Sequence, residues 1–320
     1  MSTAVVVGSG PNGLAAAVTL ARAGLSVTVL EAEDTIGGGT RTVEAVVPGL
    51  LHDTCSAIHP MAVGSPFLET QGLDRYGLRW LHPEIDCAHP LDDGSAGVLY
   101  QSVDRTAEAL GRDGPRWRAL FAHNVSRYEA LSEDILGPLL HLPRHPLTLA
   151  RFGLPTVAPA SVLAKLFATP QARALFGGVA AHTFQPLHRP LTSAIGLGIL
   201  TAGHRHGWAV AAGGSRSITD ALAALLADLG AMIETGVRVT SAAELPPADI
   251  TLFDLDPTGV AGILRDRLPG RVSRAFRRFR FGPAAFKVDF AVEDGVPWTN
   301  PAARKAGTVP LGGNYAEIAA

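Results

Sequence analysis

A short apolar strand running directly into a spaced glycine turn constrains this chain more than any other feature. Ala4-Val5-Val6-Val7 is a continuous apolar run, and Gly8-Ser9-Gly10-Pro11-Asn12-Gly13 follows it at once. A short run that is apolar on every side chain reads as a strand buried on both faces of a parallel sheet. Leu14, Val18 and Ala21 then recur at helical spacing, and Gly24 stands where a left-handed glycine would end the helix. Val27-Thr28-Val29-Leu30 is a second buried strand. Residues 4–30 therefore predict one right-handed strand–helix–strand unit.

Each glycine of the turn has a reason in that setting. Gly8 permits the tight turn out of the strand, Gly10 lets a pyrophosphate approach the backbone, and Gly13 lets the helix pack closely on the sheet. Ser9, Pro11 and Asn12 fill the turn at a helix N-terminus, where free N–H groups and the helix dipole favour anions. Glu31, with Ala32 after it, closes the second strand about twenty residues past the turn. A carboxylate there accepts hydrogen bonds from ribose hydroxyls and repels a 2′-phosphate, which disfavours NADP. A second cluster, Gly37-Gly38-Gly39-Thr40-Arg41, follows after a short loop. It lets backbone come close to a long extended ligand, and Arg41 adds a fixed cation near a diphosphate. A simple NAD dehydrogenase has no need of this second cluster.

With these motifs the chain resembles the phytoene-dehydrogenase-like branch of the glutathione-reductase-like FAD superfamily. That branch includes the group called pyridine nucleotide-disulfide oxidoreductase domain-containing protein 2. The matching stretches are VVVGSGPNGLAAAVTLARAGLSVTVLEA, GGGTRT, HDTCSAIHP at 52–60, AAGGSRSITDALAALLADLGA at 211–231 and FGPAAFKVDFAVEDGVPW at 281–298. The resemblance implies FAD as cofactor and hydride transfer from a substrate C–H to flavin, with an external acceptor (oxygen, a quinone or a nicotinamide) reoxidising it. It implies that Thr235-Gly236-Val237-Arg238-Val239 carries backbone against the adenine, with Val239 as the best candidate. No catalytic residue is assigned. The resemblance also implies a longer chain, whose C-terminal segment would return to the flavin. On that expectation this chain is truncated, and a non-catalytic nucleotide-binding remnant is the alternative function, ahead of an NAD-dependent dehydrogenase.

A chain of 320 residues suggests about two domains. The fold class expected is α/β: a doubly wound, Rossmann-like FAD/NAD(P)-binding domain, split in sequence, with a partly helical α+β substrate domain. Residues 1–66 and 211–260 form the two parts of the nucleotide domain. Residues 67–210 are an inserted, mostly helical substrate or cap domain, broken by prolines, and 261–320 begin a sheet of the substrate domain. Ser215 to Leu229 is an amphipathic helix with Ile218, Leu222, Leu225 and Leu229 on one face, and Met232–Thr240 and Ile250–Leu255 are strands. Phe286 to Val292 alternates apolar with Lys, Asp and Ala, which reads as a half-buried strand.

Composition narrows the partners. With 27 basic and 29 acidic residues there is no electrostatic case for nucleic acid. Cys55 and Cys87 form no CxxC pair, so neither a dithiol centre nor a cysteine zinc site is expected. The first strand begins too early for a secretory signal, and a cytoplasmic enzyme acting on a small, apolar molecule is the expectation. His204 and His206 lack a marked third metal ligand and read as a loop, so no metal is assigned. His52 and His59 are possible acid–base or hydrogen-bonding groups. Arg271, Arg274, Arg277, Arg278 and Arg280 surround Val272, Phe276 and Phe279, which predicts an amphipathic helix docked on the core, with membrane contact at most peripheral.

Overall fold

A computed structural model describes residues 2–138 and 140–320. It divides into two compact units, Met1–Ala57 with Thr70–Trp80 and Val210–Ala291, and Ile58–Glu69 with Leu81–Ala209 and Val292–Ala320.

The first unit is built on β1 (Thr3–Val7), α1 (Pro11–Arg22) and β2 (Ser26–Leu30). β1 is buried from Ala4 onward because sheet neighbours flank it and helices cover it. α1 starts with Pro11 in its first turn, where the missing N–H costs nothing, and ends before Gly24 at φ +86°. Its buried face is Gly13, Leu14, Ala17 and Val18, while Ala21 is half-exposed. A short antiparallel hairpin, β3 (Thr42–Glu44) and β4 (Leu51–Asp53), follows. The chain returns through α2 (Arg216–Asp228), β5 (Met232–Glu234), β6 (Ile250–Phe253), α3 (Pro257–Leu264) and α4 (Gly270–Arg277). The sheet order is β6-β1-β2-β5, all parallel, with Val5 level with both Thr251 and Thr28. α2 packs beside α1 and buries Ile218, Leu222, Leu225 and Leu226.

Several expectations shift. Leu229 is exposed, because it follows the last turn of α2, and Leu226 takes its place in the core. The strand expected over 232–240 stops at Glu234, since Gly236 turns the chain at φ +71°. Thr70–Trp80, expected with the inserted region, belongs to the first unit. Leu73 is buried there, and the Tyr76 hydroxyl donates to Asp228 of α2 at 2.8 Å. The segment past 260 also stays with this unit to Ala291, because α3 and α4 pack on one another. α4 forms as a helix, yet Val272 and Phe276 are only half-buried and Phe279 is exposed. Residues 286–292 form no strand: among the described residues nothing pairs with them, and Phe286 and Phe290 are exposed.

The second unit packs helices 114–126, 146–157, 170–180 and 192–206 around Trp117, Phe121, Phe176 and Leu200. It also holds a three-stranded sheet in which 85–90 lies between 96–99 and 306–308; the last falls in the stretch expected to begin a sheet, whereas the other two strands were not expected. His204 lies in a helix and not in a loop. It is buried, accepts from Trp117 Nε1 at 2.9 Å and pairs through Nδ1 with the Gln101 carbonyl at 3.0 Å. Burial pushes it down to about 4. His206 stands edge-on to the Tyr128 ring. Among the described residues no single helix is long and apolar enough to cross a membrane. Helices 146–157 and 160–166 reach that length and composition only together, across a 94° bend.

Candidate functional site

The carboxyl ends of β1, β2 and β6 open onto one cleft of about 800 Å³ in the first unit. This is the edge of a parallel sheet where the chain's crossovers leave a crevice. Gly8, Ser9, Gly10, Pro11, Asn12, Glu31, Ala32, Gly38, Gly39, Arg41 and Val239 all line it. Three other expected residues stand behind that surface. Gly37, at φ +122°, donates its N–H to the Ser9 carbonyl at 3.1 Å. Thr40 is buried, its hydroxyl donating to the Gly37 carbonyl at 2.7 Å. Gly13 lies in the buried face of α1.

Glu31 organises the floor. Its Oε2 accepts from the backbone N–H of Ser9 at 3.0 Å and, at closer range, from the Ser9 hydroxyl. Its Oε1 accepts from Glu33 N at 2.9 Å and from Arg41 Nη2 at 3.2 Å. Burial would raise this carboxyl, but the Ser9 hydroxyl, the Glu33 and Ser9 N–H groups and Arg41 together hold it below the usual carboxylate range. Arg41 also donates to the carbonyls of Thr35 at 2.8 Å and Gly38 at 3.3 Å. The sequence set Arg41 beside a diphosphate; here it braces Glu31 and the second glycine cluster.

The segment after β5 forms one wall. Gly236 and Val237 donate to the carbonyls of Glu33 and Glu31 at 3.0 and 2.8 Å, which lays this stretch along the end of β2. Val239 then packs with Val5, Val7, Leu30 and Ile263.

The opposite wall was not legible in the sequence. Asp254 and Asp256 follow β6, and Gly259, Ile263 and Arg265 come from α3 and its end. Asp254 Oδ2 accepts from Gly13 N at 2.9 Å, and Asp254 N donates to the Val7 carbonyl at 2.8 Å. A Cβ on Gly10 would meet Asp254 Oδ2 at 2.6 Å, and one on Gly8 would meet the Asp254 carbonyl at 2.6 Å. A Cβ on Gly13 would meet the Gly8 carbonyl at 2.3 Å. The glycines are thus required by the protein's own backbone and by Asp254, before any ligand is considered. The one available signal was position: β6 ends beside β1, where ligands of such sheets lie.

His52 and His59 do not line this cleft. His52 Nδ1 faces Asp289 at 3.4 Å, and His59 N donates to the Ala209 carbonyl.

Comparison with known proteins follows the same lines. Residues 6–66 match the NAD(P)-binding Rossmann-like domain family. Hydroxyneurosporene desaturase of Cereibacter sphaeroides is 29% identical over 297 aligned positions, covering 82% of this chain and 58% of that protein. One of the limonene dehydrogenase subunits of Castellaniella defragrans is 29% identical over 134 positions, 42% of this chain and 24% of that one. An oxidoreductase from Methanosarcina mazei shares the fold with a TM-score of 0.56 at 17% identity, over 86% of this chain and 64% of its own. The chain spans less than two thirds of each of these proteins. In sequence the chain is similar to the desaturase and the dehydrogenase subunit, and it shares its fold with the Methanosarcina oxidoreductase.

Proposed function

We propose that the cleft holds FAD and that the chain serves FAD-dependent oxidation or desaturation of a small, apolar substrate. The observation that carries this reading is the shared lining of one cleft by both glycine clusters, Glu31, Arg41 and Val239. FAD, if held there, would supply the two-electron acceptor for a hydride from a substrate C–H, and an external oxidant would be needed to restore it.

The residues present fit such a ligand. The cleft has the volume for an extended dinucleotide. The first turn of α1 presents the Asn12 N–H toward an anion, Pro11 having none to offer. Glu31 keeps its charge near neutral pH and offers acceptor positions to ribose hydroxyls. Val237 and Val239 give apolar surface for a flat base, with backbone groups at its edge. Gly38 and Gly39 allow close approach along the middle of the ligand. The protein's work here is binding and orientation, so a catalytic dyad is not required. Cys55 and Cys87 are both free thiols, which supports a cytoplasmic setting.

The test is thermal stability of the purified chain with FAD, ADP, NAD or NADP added. FAD and ADP should raise the midpoint, by about 2.7 kcal/mol of stabilisation at a hundredfold excess over Kd. NADP should do least, because Glu31 opposes a 2′-phosphate. Stabilisation by NAD with none by FAD would overturn the reading.

A further inference from the structure

We propose that Asp254 is a positioning residue that holds the glycine turn by occupying the Gly13 N–H, and so competes with the ligand's diphosphate for the N-terminus of α1. This rests on the nucleotide reading of the cleft. Three observations converge on it. First, Asp254 Oδ2 sits 2.9 Å from Gly13 N, one of the few N–H groups of the first helical turn without a helical partner. Pro11 has no N–H, Leu14 N donates to the Gly10 carbonyl at 3.0 Å, and among the described residues no bond is made by the Asn12 N–H of that turn. Second, the same oxygen lies 2.6 Å from where a Gly10 Cβ would be and 2.9 Å from where a Gly13 Cβ would be, so the carboxylate packs directly against both glycines. Third, Asp254 donates its own N–H to the Val7 carbonyl and lines the cleft, so its backbone is fixed beside the glycine turn.

A carboxylate in this place has two effects of opposite sign. It satisfies a buried donor and fixes the turn's shape, which favours the folded site. It also sets a negative charge against the positive end of the helix, where a diphosphate would sit, which weakens anion binding. The asparagine variant separates them, since an amide oxygen still accepts from Gly13 N–H but carries no charge. Adenosine, which lacks the diphosphate, controls for any general change of the cleft.

The experiment is calorimetric titration of the full chain and of Asp254→Asn and Asp254→Ala with ADP and with adenosine, at low and at moderate salt. Asp254→Asn should bind ADP roughly tenfold more tightly, with adenosine unchanged, and the gain should shrink as salt screens it. Asp254→Ala should lower the melting midpoint, because the turn loses its acceptor. Equal or weaker ADP binding by Asp254→Asn, beside a wild-type chain that binds ADP, would overturn the competition and leave the nucleotide reading standing. No binding of ADP by wild type or by Asp254→Asn would instead overturn the nucleotide reading, and this proposal with it.

Discussion

Arg41 Nη2 stands 3.2 Å from Glu31 Oε1, so the cation of the second glycine cluster clamps the acid that ends β2. Two motifs ten positions apart in sequence therefore act as one unit. Glu31→Ala would leave the Ser9 and Glu33 N–H groups without their acceptor and take one of its acceptors from the Arg41 guanidinium. We expect it to cost about 2–4 kcal/mol of stability and to weaken ADP binding at least tenfold. Glu31→Gln, which keeps one acceptor oxygen, should lose less of both. Denaturant titration with and without ADP checks this, and unchanged ADP affinity in Glu31→Ala would remove Glu31 from the site. Because the folded carboxyl is held down, its stabilising share is full above the unfolded value. That share is lost only as pH falls through the lower folded value.

Glycine replacements should rank by what the new Cβ meets. Gly13→Ala drives a methyl to 2.3 Å from the Gly8 carbonyl, and Gly10→Ala drives one to 2.6 Å from Asp254 Oδ2. Backbone cannot yield as a side chain can, so Gly13→Ala should cost more, about 3 kcal/mol or above. Gly24→Ala meets nothing within 4 Å and suffers only from its positive φ, a cost of about 1 kcal/mol. A melting series of the three variants tests the order; equal losses would contradict it.

The reach of sequence reading follows this contrast. The β1–α1–β2 unit was legible because its apolar runs, its helix face and its glycines are local and agree. Asp254 was not, because its hydrogen bond to Gly13 spans 241 positions and no local pattern marks it. The strand at 85–90 was hidden for another reason. Asp86 and His89 are buried beside Cys87 and Ala88, which removes the apolar signature of a core strand. Phe286 to Val292 shows the converse. Its alternation names a face, but a strand also needs a neighbour to pair with, and alternation cannot supply one.

Two buried groups of the second unit should pull stability in opposite directions with pH. His204 is pushed down to about 4 by burial, so the unfolded chain binds its proton first as pH falls below about 6.5. Stability from His204 is therefore present above pH 6.5 and lost toward pH 4. Asp86 is pushed up to about 7 by burial, against the hydrogen bond from Trp208 N. Its contribution is present at low pH and lost as pH rises toward 7. Asp86→Asn keeps an acceptor for Trp208 N and should stabilise the chain at pH 8 by a few kcal/mol, on the order of 3. The gain should vanish near pH 4. A gain independent of pH would contradict the assignment.

The segment from Phe281 to Val292 should be the first cut in limited proteolysis. It lies outside helix and strand, and Arg280 and Lys287 stand within or beside it. Exposed backbone without ladder hydrogen bonds opens at little cost. Trypsin should cleave there before it cleaves at Arg22 in α1; the reverse order would show that the segment is protected in solution.

The most direct test of the central claim is the visible absorption spectrum of the purified chain after FAD is added and free flavin removed. The cleft described here predicts a flavin spectrum that stays with the protein and is displaced by excess ADP, because both ligands use Glu31 and the glycine turn. A colourless protein whose melting midpoint does not respond to ADP would contradict it.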